Sequence, residues 1–218
     1  MHKTDTHVYP GPQGTVYGVL LNFKRERALW AERAQDAPYK GEPQAPVLYI
    51  KTANTFNASG GAVRVPHGEA GLELGATLGL IMGEGGAVDA VALFIDWSVP
   101  HASYYRPPVR FKNRDGFLGF SHHQRVLHDW SQIQGMGVTV LINGEAVQQV
   151  GFAELARAPA TLLEDVQAFT DLRAGDVLML GLDCLADGQR PMAKAGDVVR
   201  VESAHGLFVE HHVLGVTA

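Results

Sequence analysis

Glycine and proline punctuate this chain more heavily than anything else in it, 25 and 11 of them in 218 residues. Such spacing interrupts long helices and suits many short strands joined by tight turns. Apolar residues make up 46%, enough for a real core, so a disordered chain is excluded. No stretch approaches 18 apolar residues, and the start MHKTDTHVYPGPQG lacks an apolar leader core. The reading is no membrane span and no secretory signal. With Lys+Arg 18 against Asp+Glu 23 the net charge is −5, which argues against nucleic acid as a partner. The lone Cys184 excludes an intrachain disulfide and a multi-cysteine zinc site, and a reduced, cytoplasmic setting follows as the expectation. No composition shift or short repeat divides the chain. We read a flexible N-terminal arm over 1–14 and one domain over 15–218.

Within that domain, TVYGVLL (15–21) and VLYIKT (47–52) read as strands. RERALWAERA (25–34) reads as a helix, with Ala28, Leu29 and Trp30 available for one face. TLGLIM (77–82) and AVDAVALFI (87–95) read as buried strands around the turn Gly83-Glu84-Gly85-Gly86. Asn143-Gly144 between two β-rich runs signals a type I′ hairpin. Residues 159–172 read as a helix opened by Pro159, with Leu162, Leu163, Val166 and Phe169 at helical spacing. Gly175-Asp176 and Gly196-Asp197 each introduce a further strand, and residues 206–214 close the chain as another. Strands dominate with two or three helices, hence an α+β class.

The chemistry-bearing candidates are few. Ten histidines include the pairs His122-His123 and His211-His212. Neighbours in a strand face opposite ways, so such a pair rarely chelates one metal. They read as solvated loop residues. Asp96 ends an apolar run, and a carboxylate emerging from a buried strand needs a partner or a metal. The stretch from Tyr104 to Phe117 (YYRPPVRFKNRDGF) interleaves four cations with aromatics. Arginine there can fork onto a carboxylate, and lysine can polarise a carbonyl or hold an enolate. No Gly-x-Gly-x-x-Gly opens a helix after a strand, no Gly-x-Ser-x-Gly elbow is present, and Cys184 reads as idle.

Taken in order, VYGVLLNFKRE, PQAPVLYIKTANT, LGLIMG, ALFIDWSVPHASYYRP, FKNRDGF, TVLINGEAVQ, LRAGDVLMLG and MAKAGDVVRVES cover most of the chain. The set resembles the fumarylacetoacetate hydrolase superfamily. PVLYIKTANT and YYRP…FKNRDGF are similar to its aromatic-catabolism branch, the N-terminal-type half of isomerase/decarboxylases of homoprotocatechuate (4-hydroxyphenylacetate) breakdown. The resemblance implies a single-domain mixed β-roll with a few peripheral helices. It implies a substrate that is an oxo- or hydroxy-dienoic di- or tricarboxylate, processed through an enolate that Mg²⁺ or Mn²⁺ stabilises. Carried over by position, Asp96 matches a metal ligand, whereas the family's two glutamates fall on Gly75 and Thr77; recruiting Glu69 or Glu73 would need a shift. Lys112 matches the active-site lysine, with Asp115 and Phe117 in register, and Lys51 matches a second lysine. Arg106, Arg110 and Tyr105 are expected to hold substrate. A family histidine falls on Glu26, and the carboxylate-binding Gly-Thr-Pro loop is Gly181-Leu182-Asp183. Two readings follow: an enzyme, or a degenerate structural subunit. Either has a homologous C-terminal-type subunit, carrying the intact metal site, or a homo-oligomer as its setting. A metal-free oxo-acid binder is a third.

Overall fold

The structure is a computed structural model, and it describes residues 6–101 and 109–215. Along the chain run β1 (Thr6–Val8), β2 (Val16–Leu20), α1 (Lys24–Ala34), β3 (Val47–Lys51), β4 (Phe56–Ala58), β5 (Ala62–Arg64), β6 (Leu72–Met82) and β7 (Val88–Ser98). Then come α2 (Val109–Lys112), β8 (Leu118–Val126), α3 (Ser131–Gln134), β9 (Gly137–Ile142), β10 (Glu145–Gly151), α4 (Pro159–Gln167), β11 (Val177–Met179), β12 (Met192–Ala193), β13 (Val198–Ser203) and β14 (Phe208–Leu214). The larger sheet has the order β1-β8-β7-β6-β11-β2-β3, with β4 beside β8 and β12 beside β6; the smaller is β10-β9-β13-β14-β5.

β6 and β7 are the axis of the fold, antiparallel from Glu73 opposite Ser98 to Met82 opposite Val88. Alternation sends Leu74, Leu78 and Leu80 with Leu93, Ile95 and Trp97 toward the smaller sheet, where they meet Val140, Val199, Val201 and Val209. The opposite face carries Ile81, Ala92 and Phe94 into a second core with Tyr9, Leu20, Trp30 and Tyr49. Both strands outrun the sequence expectation. Pairing along their whole length draws in Glu73 and Gly75, whose own β propensity is poor.

Four strands separate β3 from β8 in the larger sheet when its order is followed through β2, β11, β6 and β7. Yet Lys51 at the end of β3 reaches Asp96 of β7 and donates 2.9 Å to the Phe117 carbonyl just before β8. Only a strongly curled sheet brings its ends together in this way. The mixed β-roll and α+β class are therefore observed.

Several local expectations hold. Asn143 and Gly144 both have positive φ, 53° and 84°, as the hairpin turn requires. Others are corrected. The buried stripe of α1 is Glu26, Trp30 and Ala34, at i, i+4 and i+8, whereas Ala28 and Leu29 are exposed. α4 ends at Gln167, whose amide side chain donates to the Gly86 carbonyl, and Phe169 lies exposed beyond it. Of the stretch expected to be a loose arm, β1 pairs with β8, and Tyr9 is buried edge-on against Phe94 and Phe120. An aromatic in that position anchors the segment through apolar burial.

His211 is not a loop histidine. It is fully buried on β14, while His212 faces solvent. Its Nδ1 accepts a 3.2 Å bond from Trp97 Nε1, which requires the neutral ring, and burial pushes its pKa down to about 4. The unfolded chain therefore binds a proton near pH 6.5 that the folded chain refuses until about pH 4. Stability falls as pH drops through that window, by about 2–3 kcal/mol for this group. His211→Gln is expected to remove that part of the slope between pH 7.5 and 4.5 in urea denaturation. An unchanged slope would show that His211 titrates alike in both states.

Candidate active site

The site begins with a strand-end carboxylate. Asp96 is buried on β7, directly opposite Gly75 of β6. Lys51 Nζ donates 2.9 Å to its Oδ1, and Lys112 Nζ donates 2.8 Å to its Oδ2. The Tyr49 hydroxyl also donates to Oδ2. Tyr49 and Lys51 alternate on one face of β3, so a single strand delivers both. Tyr49 can lie flat across the sheet because Gly18 faces it; a Cβ there would overlap the ring at 2.1 Å. Lys112, at the end of α2, places its ammonium 5.1 Å from the Tyr49 ring centroid.

The charge states follow from these contacts. Burial alone would raise the Asp96 pKa, but the Lys112 and Lys51 ammonium groups and the hydrogen bonds outweigh it and hold the carboxyl well below the usual range. Burial lowers the Lys51 pKa to about 8, with Asp96 opposing that shift. Burial, then the Asp96 charge, pushes the Tyr49 phenol well up.

A cavity of about 580 Å³ lies between α1 and the loop before β12; none of Asp96, Lys51, Lys112 and Tyr49 lines it, though the charges of Glu26 and Arg190 in its wall act on Tyr49. Leu21, Leu29 and Trp30 give it an apolar wall, and Glu26, Arg33, Glu73, His101 and Arg190 bring charge or imidazole. Glu26 organises its mouth. One oxygen pairs with Arg190, and the other accepts 2.9 Å from the Leu21 amide. That bond holds Leu21 at φ 58°, a left-handed conformation uncommon for a leucine. Arg190 also donates 2.9 Å to the Asp183 carbonyl, and Arg25 lies 3.9 Å from the Asp183 carboxylate. His101 stacks on Phe111 with centroids 4.7 Å apart. Its Nδ1 lies 2.9 Å from the Val99 carbonyl, an acceptor only, so Nδ1 carries a proton.

The sequence-derived candidates fare unequally. Asp96, Lys51 and Lys112 are brought together. Lys51, expected to hold substrate, has its three donors on Asp96, the Lys112 carbonyl and the Phe117 carbonyl. Arg110 is exposed on α2 and does not line the cavity. Tyr105 and Arg106 lie outside the described residues. Glu69 is exposed in a turn, and Glu73 lines the cavity two residues along β6 from Gly75. Sequence reading missed Tyr49, Arg190 and Trp30. Tyr49 was findable as the residue two before Lys51 on the same strand face; Arg190 carried no local signal.

The donor set does not fit a divalent cation. Magnesium and manganese want several anionic or neutral oxygens. Gly75 has no side-chain oxygen, and Thr77 is buried with its hydroxyl donating to the Leu78 carbonyl. Among the described residues no group of three or more Asp, Glu, His or Cys side chains is placed to hold a metal.

The rolled mixed sheet is a fold that the chain shares with solved structures. The family model for the C-terminal region of fumarylacetoacetate hydrolase matches residues 15–213, and the chain belongs to that family. It is 32% identical over 199 residues to the 4-hydroxyphenylacetate degradation bifunctional isomerase/decarboxylase of Escherichia coli, covering 87% of this chain and 44% of that one. The chain thus spans about half the length of the curated relatives it matches. Among solved structures, the 5-carboxymethyl-2-hydroxymuconate delta-isomerase of Mycobacterium smegmatis superposes with a TM-score of 0.75 at 16% identity, over 97% of this chain and 82% of that one. The 2-hydroxyhepta-2,4-diene-1,7-dioate isomerase of Mycobacterium marinum gives 0.73 at 14%, over 97% and 78%. At such identities these two establish the fold alone. No helix among the described residues is long and apolar enough to cross a membrane.

Proposed function

We propose that the chain acts in aromatic catabolism as an isomerase/decarboxylase domain on oxo- or hydroxy-dienoic di- and tricarboxylates. The observation that carries this is the buried Lys112, held by Asp96 in one cluster with Lys51 and Tyr49, together with a cavity whose lining mixes the apolar Leu29 and Trp30 with Arg33, Arg190 and the acids Glu26, Glu73 and Asp187. The likeness to the E. coli isomerase/decarboxylase supports the reaction class. In decarboxylation the bond from carbon to the departing carboxylate breaks, and its electron pair is held as the enolate of the 2-oxo group until a proton returns to carbon. Isomerisation moves a proton between carbons through the same enolate. Lys112 has two donors beyond its bond to Asp96, and an ammonium aimed at the enolate oxygen in a water-poor site stabilises the developing charge. The apolar wall of Leu29 and Trp30 suits the diene, and Arg33 suits a distal carboxylate. No step here passes through a metal.

A second reading is favoured by a specific observation, the absence of a carboxylate at Gly75 and at Thr77. In it the chain is a structural subunit for a homologous, metal-bearing catalytic chain. The test is to assay the purified chain on 2-hydroxyhepta-2,4-diene-1,7-dioate, following loss of the diene absorbance, alone and with the homologous subunit. Turnover by the chain alone is the expected result. Inertness alone with a gain on mixing selects the second reading, and inertness in both settings overturns both.

A further inference from the structure

We infer that this chain balances Asp96 with its own lysines and takes up no divalent cation there, the whole neighbourhood being rebuilt around that solution. The inference holds under either functional reading and rests on neither.

Three independent features of the cluster carry it. First, the carboxylate is occupied. A carboxylate has roughly four lone-pair positions, and Lys51, Lys112 and Tyr49 fill three of those at Asp96. Lys51 cannot swing aside to admit a cation, because its other donors are tied to the backbone at Lys112 and Phe117. A divalent ion on Asp96 would also sit within a few ångströms of two ammonium groups, in a buried setting where like charges repel strongly.

Second, the space next to Asp96 is filled. Gly75 is its cross-strand partner, and a Cβ built on Gly75 would lie 2.7 Å from Leu182 Cδ2. Leu182 is itself buried. An apolar side chain thus stands over the position from which a ligand at residue 75 would reach.

Third, the loop that carries Leu182 is pinned. Asp183 accepts 2.9 Å from the Cys184 amide and faces Arg25, while Arg190 ties the Asp183 carbonyl to Glu26 of α1. Glu26, Leu182 and Asp183 therefore belong to one connected arrangement. The segment 102–108, outside the described residues, reads Ala-Ser-Tyr-Tyr-Arg-Pro-Pro and contains no Asp, Glu, His or Cys to supply a missing ligand.

The test uses the intact chain, without substrate, so that a failed activity assay and a failed metal prediction remain distinct. Amide signals of an isotope-labelled sample are followed by NMR as Mn²⁺ is added. The signals of Gly75, Asp96 and Trp97 are expected to keep their intensity at one equivalent. Broadening confined to exposed carboxylates elsewhere supports the inference, since it marks adventitious surface binding. Loss of the three signals at one equivalent overturns it. In parallel, the thermal midpoint is compared between EDTA and Mg²⁺. A native site filled about a hundredfold above its Kd would raise the midpoint by several degrees. No rise is the expected result, and a rise that Asp96→Asn abolishes would count against the inference.

Discussion

Asp96→Ala is expected to cost the folded chain about 3–5 kcal/mol in urea denaturation at pH 7, among the largest effects of any single substitution here. The substitution leaves two buried ammonium groups without their counter-charge. Lys51 is wholly buried and Lys112 nearly so. The penalty should also depend on pH, with a definite sign. Burial lowers the Lys51 pKa to about 8 even with Asp96 present, against 10.5 for the unfolded chain. Between those values the unfolded state binds the extra proton, so this group makes stability rise with pH. Without Asp96 the folded value falls further and the rise begins at lower pH. Tyr49 reverses the trend above about pH 10, since its raised pKa keeps the folded phenol protonated after the unfolded one has ionised. A loss under about 1 kcal/mol, without pH dependence, would mean that the lysines find solvent and that the buried triad is misdrawn.

Lys112→Met is expected to lower kcat by about 10²–10³-fold, the usual consequence of removing one preorganised donor from a developing oxyanion. Methionine keeps the length and apolar volume of the stem, so packing around α2 changes little. Asp96 retains Lys51 and Tyr49, and a neutralised carboxylate therefore survives. KM should move far less than kcat, because the ammonium is matched to the enolate more than to the ground-state ketone. Activity within twofold of the parent would remove Lys112 from the chemistry and leave the structural reading in possession.

Much of this architecture can be read from local sequence. The Asn143-Gly144 hairpin, the two Gly-Asp turns and the strand ending at Lys51 follow from rules that act over a few residues. Asp96 stood out because a carboxylate closing an apolar strand needs a partner. Its partners were less legible. Lys51 is 45 residues away and Lys112 is 16. The residue that supplies the third bond, Tyr49, looked like ordinary strand filling. The stripe of α1 misled for a related reason. Of Ala28, Leu29 and Trp30, read as available for one face, Trp30 is buried as expected, but a cavity wall and the Arg190 pair draw Leu29 and Glu26 to the positions they hold.

By itself the sequence determined the class of fold, the turn chemistry and the fact that residues 75 and 77 bring no anionic oxygen to Asp96. Periodicity, glycine conformation and side-chain type are properties of short stretches, and they survive without knowledge of the rest. The curl of the sheet decided what Asp96 became. It brings the end of β3 back against β7, so that Lys51 arrives where another charge could have bound. Leu182 came to rest over Gly75 because a loop more than a hundred residues away packs there. Contacts of that kind depend on how far a twisted sheet rolls before its edges meet, a sum of small strand rotations that no local pattern records.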